Sequence, residues 1–115
     1  MNREEIRDYC LSLPGTTEDI KWEKDLCFLL AEKMFCVCNV DPEFGFSFKV
    51  KAEEFDALCE LPHVKSAPYV GRFKWVYVSA PEAFSRGEWT HYIRQSYDLI
   101  KAKLPAKIRR QLDAS

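Results

Sequence analysis

Ala67-Pro68-Tyr69-Val70-Gly71-Arg72-Phe73-Lys74-Trp75-Val76-Tyr77-Val78-Ser79 is the stretch around which this chain is organised. It opens with turn chemistry at Ala67-Pro68, passes a lone glycine and an arginine, and runs into the clearest strand of the sequence. Alternation sorts that strand into two faces, with Phe73, Trp75 and Tyr77 on one and Lys74, Val76 and Val78 on the other. Two outcomes follow. If the valines pack on helices, the aromatics and Arg72 form an exposed platform of the kind that grips bases. If the aromatics face the helices, they are core, where large rings are most often found.

Upstream, Phe44-Gly45-Phe46-Ser47-Phe48-Lys49-Val50 alternates cleanly, placing three Phe on one face and Gly, Ser and Lys on the other. This pattern predicts a half-buried strand of an antiparallel sheet. Leu26–Ala31 and Met34–Val40 read as two more strands joined by a turn at Glu32-Lys33, and Asp41-Pro42-Glu43 as the next turn. Thr16–Asp25 reads as a polar, acid-rich connector. Asn2 with Glu5 resembles a capping box, opening a helix whose apolar face is Ile6, Tyr9, Cys10 and Leu13 and which stops at Pro14-Gly15. Between Ala52 and Leu61, Phe55, Leu58 and Cys59 mark a second helix.

Downstream, Ala80–Gly87 reads as a connector. Trp89, Tyr92, Ile93, Tyr97, Ile100 and Leu104 then recur at spacings of three and four, which predicts a long helix over about 88–104. A short basic helix, 106–112, follows Pro105. The order α-β-β-β-α-β-α-α predicts an α+β fold, a small antiparallel sheet with helices packed on one face. At 115 residues the whole chain, 1–115, is expected to form a single domain.

Charge is distributed unevenly. Residues 1–64 carry 7 Lys/Arg against 14 Asp/Glu, and residues 65–115 carry 10 against 4. The acidic half argues against a protein that simply coats nucleic acid, whereas the basic half keeps phosphate binding open if folding gathers its cations. Arg94, Lys101, Lys103, Lys107, Arg109 and Arg110 can serve as a phosphate-binding edge or as a solvated helix face. No apolar run reaches the roughly 20 residues of a bilayer span. The charged N-terminal segment lacks the apolar core of a secretion signal, so the cytoplasm is the expected compartment.

Catalytic constellations are missing from the sequence. Gly15, Gly45, Gly71 and Gly87 are scattered singly, so no phosphate-cradling loop forms. His63 and His91 sit at metal-ligand spacing from neither one another nor a cysteine pair, and no Ser lies in a G-x-S-x-G turn. The cysteines, Cys10, Cys27, Cys36, Cys38 and Cys59, are odd in number and contain no C-x-x-C pair, which points to reduced, buried thiols. The expectation is therefore a protein that is not an enzyme and holds no cofactor and no metal. A carboxylate metal site built on Glu4, Glu5, Asp8 and the acids of 18–25 is the least favoured alternative.

Several motifs taken together resemble the YjbR/MmcQ family of small bacterial proteins. They are Glu18-Asp19-x-Lys21-Trp22, Glu32-Lys33-Met34-Phe35, and Lys49-Val50 leading into Glu53-Glu54-Phe55. Pro68-Tyr69-x-Gly71-Arg72-x-x-Trp75-Val76 and Ser96-Tyr97-x-Leu99-Ile100 complete the set, in matching order over nearly the whole chain. The resemblance implies a fold similar to frataxin-like proteins and to the double-wing DNA-binding domain of a phage transcription activator. It also implies a DNA-binding role, in which Lys49, Arg72, Lys74 and Trp75 become candidates on the open sheet face. Lys49 and Arg72 would hold phosphate by charge, and Trp75 would stack or wedge. The C-terminal candidates are Lys101, Lys103, Lys107, Arg109 and Arg110. An interaction module using the same aromatic face for a protein partner is the runner-up.

Overall fold

The computed structural model describes residues 1–21, 25–39, 43–68 and 70–114. The elements are α1 (Arg3–Ser12), β1 (Thr16–Lys21), β2 (Asp25–Leu30), β3 (Lys33–Asn39), β4 (Phe46–Lys49), α2 (Ala52–Cys59), β5 (Val64–Ser66), β6 (Trp75–Val78), α3 (Arg86–Lys101) and α4 (Ala106–Asp113). Short 3-10 turns occupy Gly71–Phe73 and Pro81–Ala83. Among the described residues the strands form one sheet, ordered β1-β2-β3-β4-β6-β5, with antiparallel pairing throughout. Helices cover one of its faces, as the α+β reading expects.

The strand β4 shows why. Phe46 and Phe48 are fully buried on the helix side, while Ser47 and Lys49 point the other way. Cross-strand partners obey the same alternation, so Cys36 and Cys38 of β3 and Val76 and Val78 of β6 join the phenylalanines against the helices. Trp89 of α3, fully buried, is the centre of that layer. Its ring meets Phe84 and Phe46 edge-on at 5.2 and 5.6 Å, and its indole N–H donates to the Pro81 carbonyl at 2.7 Å. The ring thus combines apolar burial with a satisfied donor.

Both long N-terminal caps are reciprocal. Asn2 and Glu5 close α1, and Ser85 and Glu88 close α3, each pair exchanging side-chain and backbone hydrogen bonds. The connector reading of 80–87 missed the second cap, so α3 begins before Glu88. It ends at Lys101, ahead of Leu104.

Ser96, on the buried side of α3, links the helix to the sheet. Its hydroxyl donates to the Phe35 carbonyl at 2.5 Å and accepts the Lys49 N–H at 2.9 Å. These backbone groups are available because β3 and β4 pair only from Cys36–Phe48 to Cys38–Phe46. The β2–β3 register also shifts beside Phe28 and Leu29, leaving Phe35 as the extra residue of a bulge. One hydroxyl therefore fills the gap where two strands part.

Several expectations differ in detail. Thr16–Lys21, read as a connector, is the edge strand β1, and Val64–Ser66 is a further short strand. Phe73 and Lys74 do not belong to β6: Phe73 closes a 3-10 turn, and Lys74 adopts a left-handed φ of 67° that reverses the chain. The β2–β3 turn is centred on Ala31 and Glu32, one residue earlier than expected, both with positive φ (49° and 67°). Trp22, Glu23 and Lys24, the Val40-Asp41-Pro42 stretch, and Tyr69 lie outside the described residues. Among those described, no helix is long and apolar enough to cross a membrane.

Two stability predictions follow. Positive φ at both turn positions is the type I′ signature, which favours Asn-Gly over Ala-Glu. Replacing Ala31-Glu32 by Asn-Gly is expected to raise unfolding free energy by about 1 kcal/mol in urea titrations; unchanged or lowered stability would contradict the turn assignment. Ser96→Ala strands a buried N–H and a buried C=O, and is expected to cost on the order of 2–4 kcal/mol in the same assay. A loss below about 1 kcal/mol would show that the hydroxyl is not a structural link.

Candidate binding face

The face of the sheet without helices carries the aromatic side of β6. Val76 and Val78 turn to the helices, so Trp75 and Tyr77 turn away from them, beside Lys49 and Ser47 of β4 and Val37 of β3. Of the two orientations open to this strand, this is the one that leaves the rings outside the helix-packed core. Trp75 is nonetheless only 6% exposed. Ala67 donates its N–H to the Trp75 carbonyl at 3.0 Å and accepts from Gly71 N–H at 2.9 Å, which holds Ala67 and Gly71 beside this end of β6. Gly71 lies so close to β5 that a Cβ there would overlap the Ser66 hydroxyl. Phe73, carried by the following turn, is the ring that reaches solvent, at 52% exposure.

A groove of about 550 Å³ runs over this face. Its walls are mainly apolar and include Met34, Val37, Pro68, Val70, Trp75 and Tyr77, while Asp25, Asn39 and Ser47 supply polar groups. Gly45 lies against the Tyr77 hydroxyl and the Asn39 amide, both of which a Cβ would overlap, so a side chain there would displace these two groups. The side-chain oxygen of Asn39 is buried and accepts no hydrogen bond from the described residues.

Cations border the aromatics. Arg72 lies 4.7 Å from the Phe73 ring centre, Lys65 is 5.4 Å from that of Tyr77, and Lys74 is 4.9 Å from that of Phe55. The Lys49 ammonium donates to the Phe73 carbonyl. Partial burial, and then the nearby positive charge of Lys103, hold the Lys49 pKa below the usual lysine range. Strand register explains the gathering: Lys33, Lys49 and Trp75 all fall at the end of the sheet that carries the Ala31-Glu32 turn. Lys103, just beyond α3, comes to the same end.

The structure therefore brings Lys49, Arg72, Lys74 and Trp75 together, with Lys103 beside them. The remaining candidates are grouped separately. Lys101 pairs with Asp113 at the far end of α4. That helix docks through Ile108 and Leu112, the latter against Gly15, which places Lys107, Arg109 and Arg110 toward the β1–β2 side of the sheet. Lys107 and Arg110 are exposed and Arg109 half-buried. Sequence reasoning did not single out Lys65, Asn39, Val37 or Ser47, because their place on this face depends on which strands pair.

Two of the acids considered for metal, Glu5 and Glu18, are paired with arginines. Glu5 pairs with Arg86, whose hydrogen bond holds the carboxyl below the usual range, and Arg7 does the same for Glu18 at 2.6 Å. Among the described residues no three His, Cys, Asp or Glu side chains come together as a metal site. All five cysteines are free thiols, and burial pushes those of Cys27, Cys36 and Cys38 upward, away from reactive thiolate. His91 and His63 are exposed.

Comparison with known proteins agrees with this architecture. A search of curated proteins found no match. Among solved structures, a Deinococcus radiodurans protein with a DUF419 domain superposes with a TM-score of 0.84 at 20% identity, covering 96% of this chain and 86% of that one. A Pseudomonas syringae protein superposes with a TM-score of 0.71 at 22% identity, covering 86% of this chain and 98% of that one. At these identities the likeness concerns the fold alone. The YjbR family model matches residues 11–99, from the end of α1 through every strand to the last turns of α3. On that match the chain belongs to the YjbR family.

Proposed function

We propose that this protein is a non-enzymatic binding domain that contacts DNA weakly through cations at the turn end of its sheet. The observation that carries the reading is the convergence there of Lys49, Arg72 and Lys74 with Lys103, beside an exposed aromatic ring. Cations from both halves of a chain with a net charge of -1 share one end, so phosphate attraction is local rather than global. Lys107, Arg109 and Arg110 of α4 form a separate group of cations on the β1–β2 side of the sheet and are a secondary candidate for phosphate contact.

The burial of Trp75 reassigns the stacking role. Phe73, half-exposed with Arg72 against its ring, is the better candidate to meet a base, whereas Trp75 is a covered wall of the groove beside Ala67, Pro68 and Val70. Free thiols at all five cysteines suit a reducing compartment, consistent with action in the cytoplasm. The predominantly apolar lining of the groove favours a second reading, a protein-interaction module using the same face.

Fluorescence anisotropy with labelled oligonucleotides tests the first reading. Engagement of about four phosphates predicts roughly 100-fold loss of affinity between 50 and 200 mM salt. The double substitution Arg72→Glu and Lys74→Glu should weaken binding at low salt and flatten the salt slope. No binding to duplex or single strand at low salt would overturn the proposal. Phe73→Ala is expected to cost about 1–3 kcal/mol of single-strand affinity while leaving thermal stability nearly unchanged, because its ring is largely outside the core. Equal affinity in this variant would remove Phe73 from the interface.

A further inference from the structure

The groove offers chemistry that charge attraction to a phosphate backbone does not use. Its middle is aromatic and aliphatic, and about 550 Å³ is within the range that small ligands occupy. Its ends differ in polarity. At one end Asp25 of β2 stands opposite Asn39 of β3. The Asp25 carboxylate is acceptor-only when ionised, and the Asn39 side-chain oxygen is buried without a donor among the described residues. An unpaired buried acceptor is costly, so this end favours a ligand that brings N–H groups. Gly45 keeps that end clear of a side chain.

The other end is positive. Trp75 pairs in register with Lys49, and Arg72 lies on the turn that precedes it. Lys65, over the Tyr77 ring, stands level with Ser47 in the middle of the face and does not belong to that end. From Gly45 to Lys49 the chain rises about 13 Å, so the Asp25 and Asn39 acceptors line one end of the groove while Lys49 and Arg72 stand just beyond its Trp75 end. A ligand complementary to this trough has amino donors at one end, a flat ring in the middle and an anion at the other.

We infer that the groove binds one nucleotide unit whose base carries an exocyclic amine. The amine meets Asp25 and Asn39, the base lies among Val37, Trp75 and Tyr77, and the phosphate lies toward Lys49 and Arg72. This site goes beyond salt-driven contact with a DNA backbone and does not require it. A free mononucleotide and an unstacked base of a single strand present the same chemistry.

Calorimetric titration of the full chain separates these sources. The ligands are CMP against UMP, AMP against IMP, and oligodeoxycytidylate against oligothymidylate, each pair differing chiefly by an amine replaced with a carbonyl. The amine-bearing member is expected to bind about tenfold more tightly. Asp25→Asn should collapse or reverse that preference, and Val37→Trp, which fills the middle of the trough, should abolish binding, with thermal melts confirming that both variants fold. Discrimination among the mononucleotides assigns the site to free nucleotide; discrimination among the oligonucleotides alone assigns it to a base in a single strand. Absence of binding, equal affinity within every pair, or a preference indifferent to Asp25→Asn would overturn the inference. Salt-dependent DNA binding without base discrimination would overturn it while leaving the backbone-contact reading intact.

Discussion

A single buried hydroxyl, that of Ser96, governs how this molecule is assembled. Wherever two strands separate inside a protein, their freed N–H and C=O groups must find partners. Here α3 supplies both at once, accepting from Lys49 and donating to Phe35. The same helix turn places Tyr97 edge-on to Phe35 at 5.4 Å and sends its hydroxyl to the Pro14 carbonyl at 2.6 Å. Helix α3 is thereby fixed in position and rotation over β3 and β4, with Trp89 and Ile93 in the same buried layer. With the helices committed to that side, the opposite face of the sheet carries no helix among the described residues.

That arrangement gives physical content to the family motifs. Met34-Phe35 supplies the bulge and its carbonyl, Lys49 the strand end, Gly71 the close turn, Trp75-Val76 the strand that separates the two faces, and Ser96-Tyr97 the clamp. Most of them converge on the turn end of the sheet. They define a scaffold, and a shared fold hosts different functions according to the groups mounted on it. In this chain the groups mounted on the scaffold include the Arg72–Phe73 pair, the half-buried Lys49 ammonium and an apolar groove with Asp25 and Asn39 at one end.

Much of the fold was legible where periodicity was strong. The Phe44–Val50 alternation identified β4 and its buried face, and the three-four spacing of Trp89, Ile93 and Tyr97 identified α3. The edge strand β1 was obscured because Thr-Thr-Glu-Asp-Ile-Lys carries no apolar alternation; its Ile20 is 58% exposed and packing does not select its residues. Lys74 broke the Phe73–Val78 pattern through a left-handed backbone without a glycine to announce it. The site was less legible for a simple reason. Alternation tells which residues share a face, whereas the surroundings of that face depend on distant partners. Trp75 thus lies away from the helices yet remains covered, and Asn39, Ser47 and Lys65 join it only through strand register.

Amide-resolved NMR during titration with a single-stranded oligonucleotide at low salt addresses the central claim most directly, that the helix-free sheet face and its turn end form the binding surface. Shift changes should concentrate at Ser47, Lys49 and Arg72 through Tyr77, including the Trp75 indole N–H, with α1 and the outer surface of α3 unmoved. Changes confined to α1 and the solvent side of α3 around His91 and Arg94, with β6 silent, would contradict it.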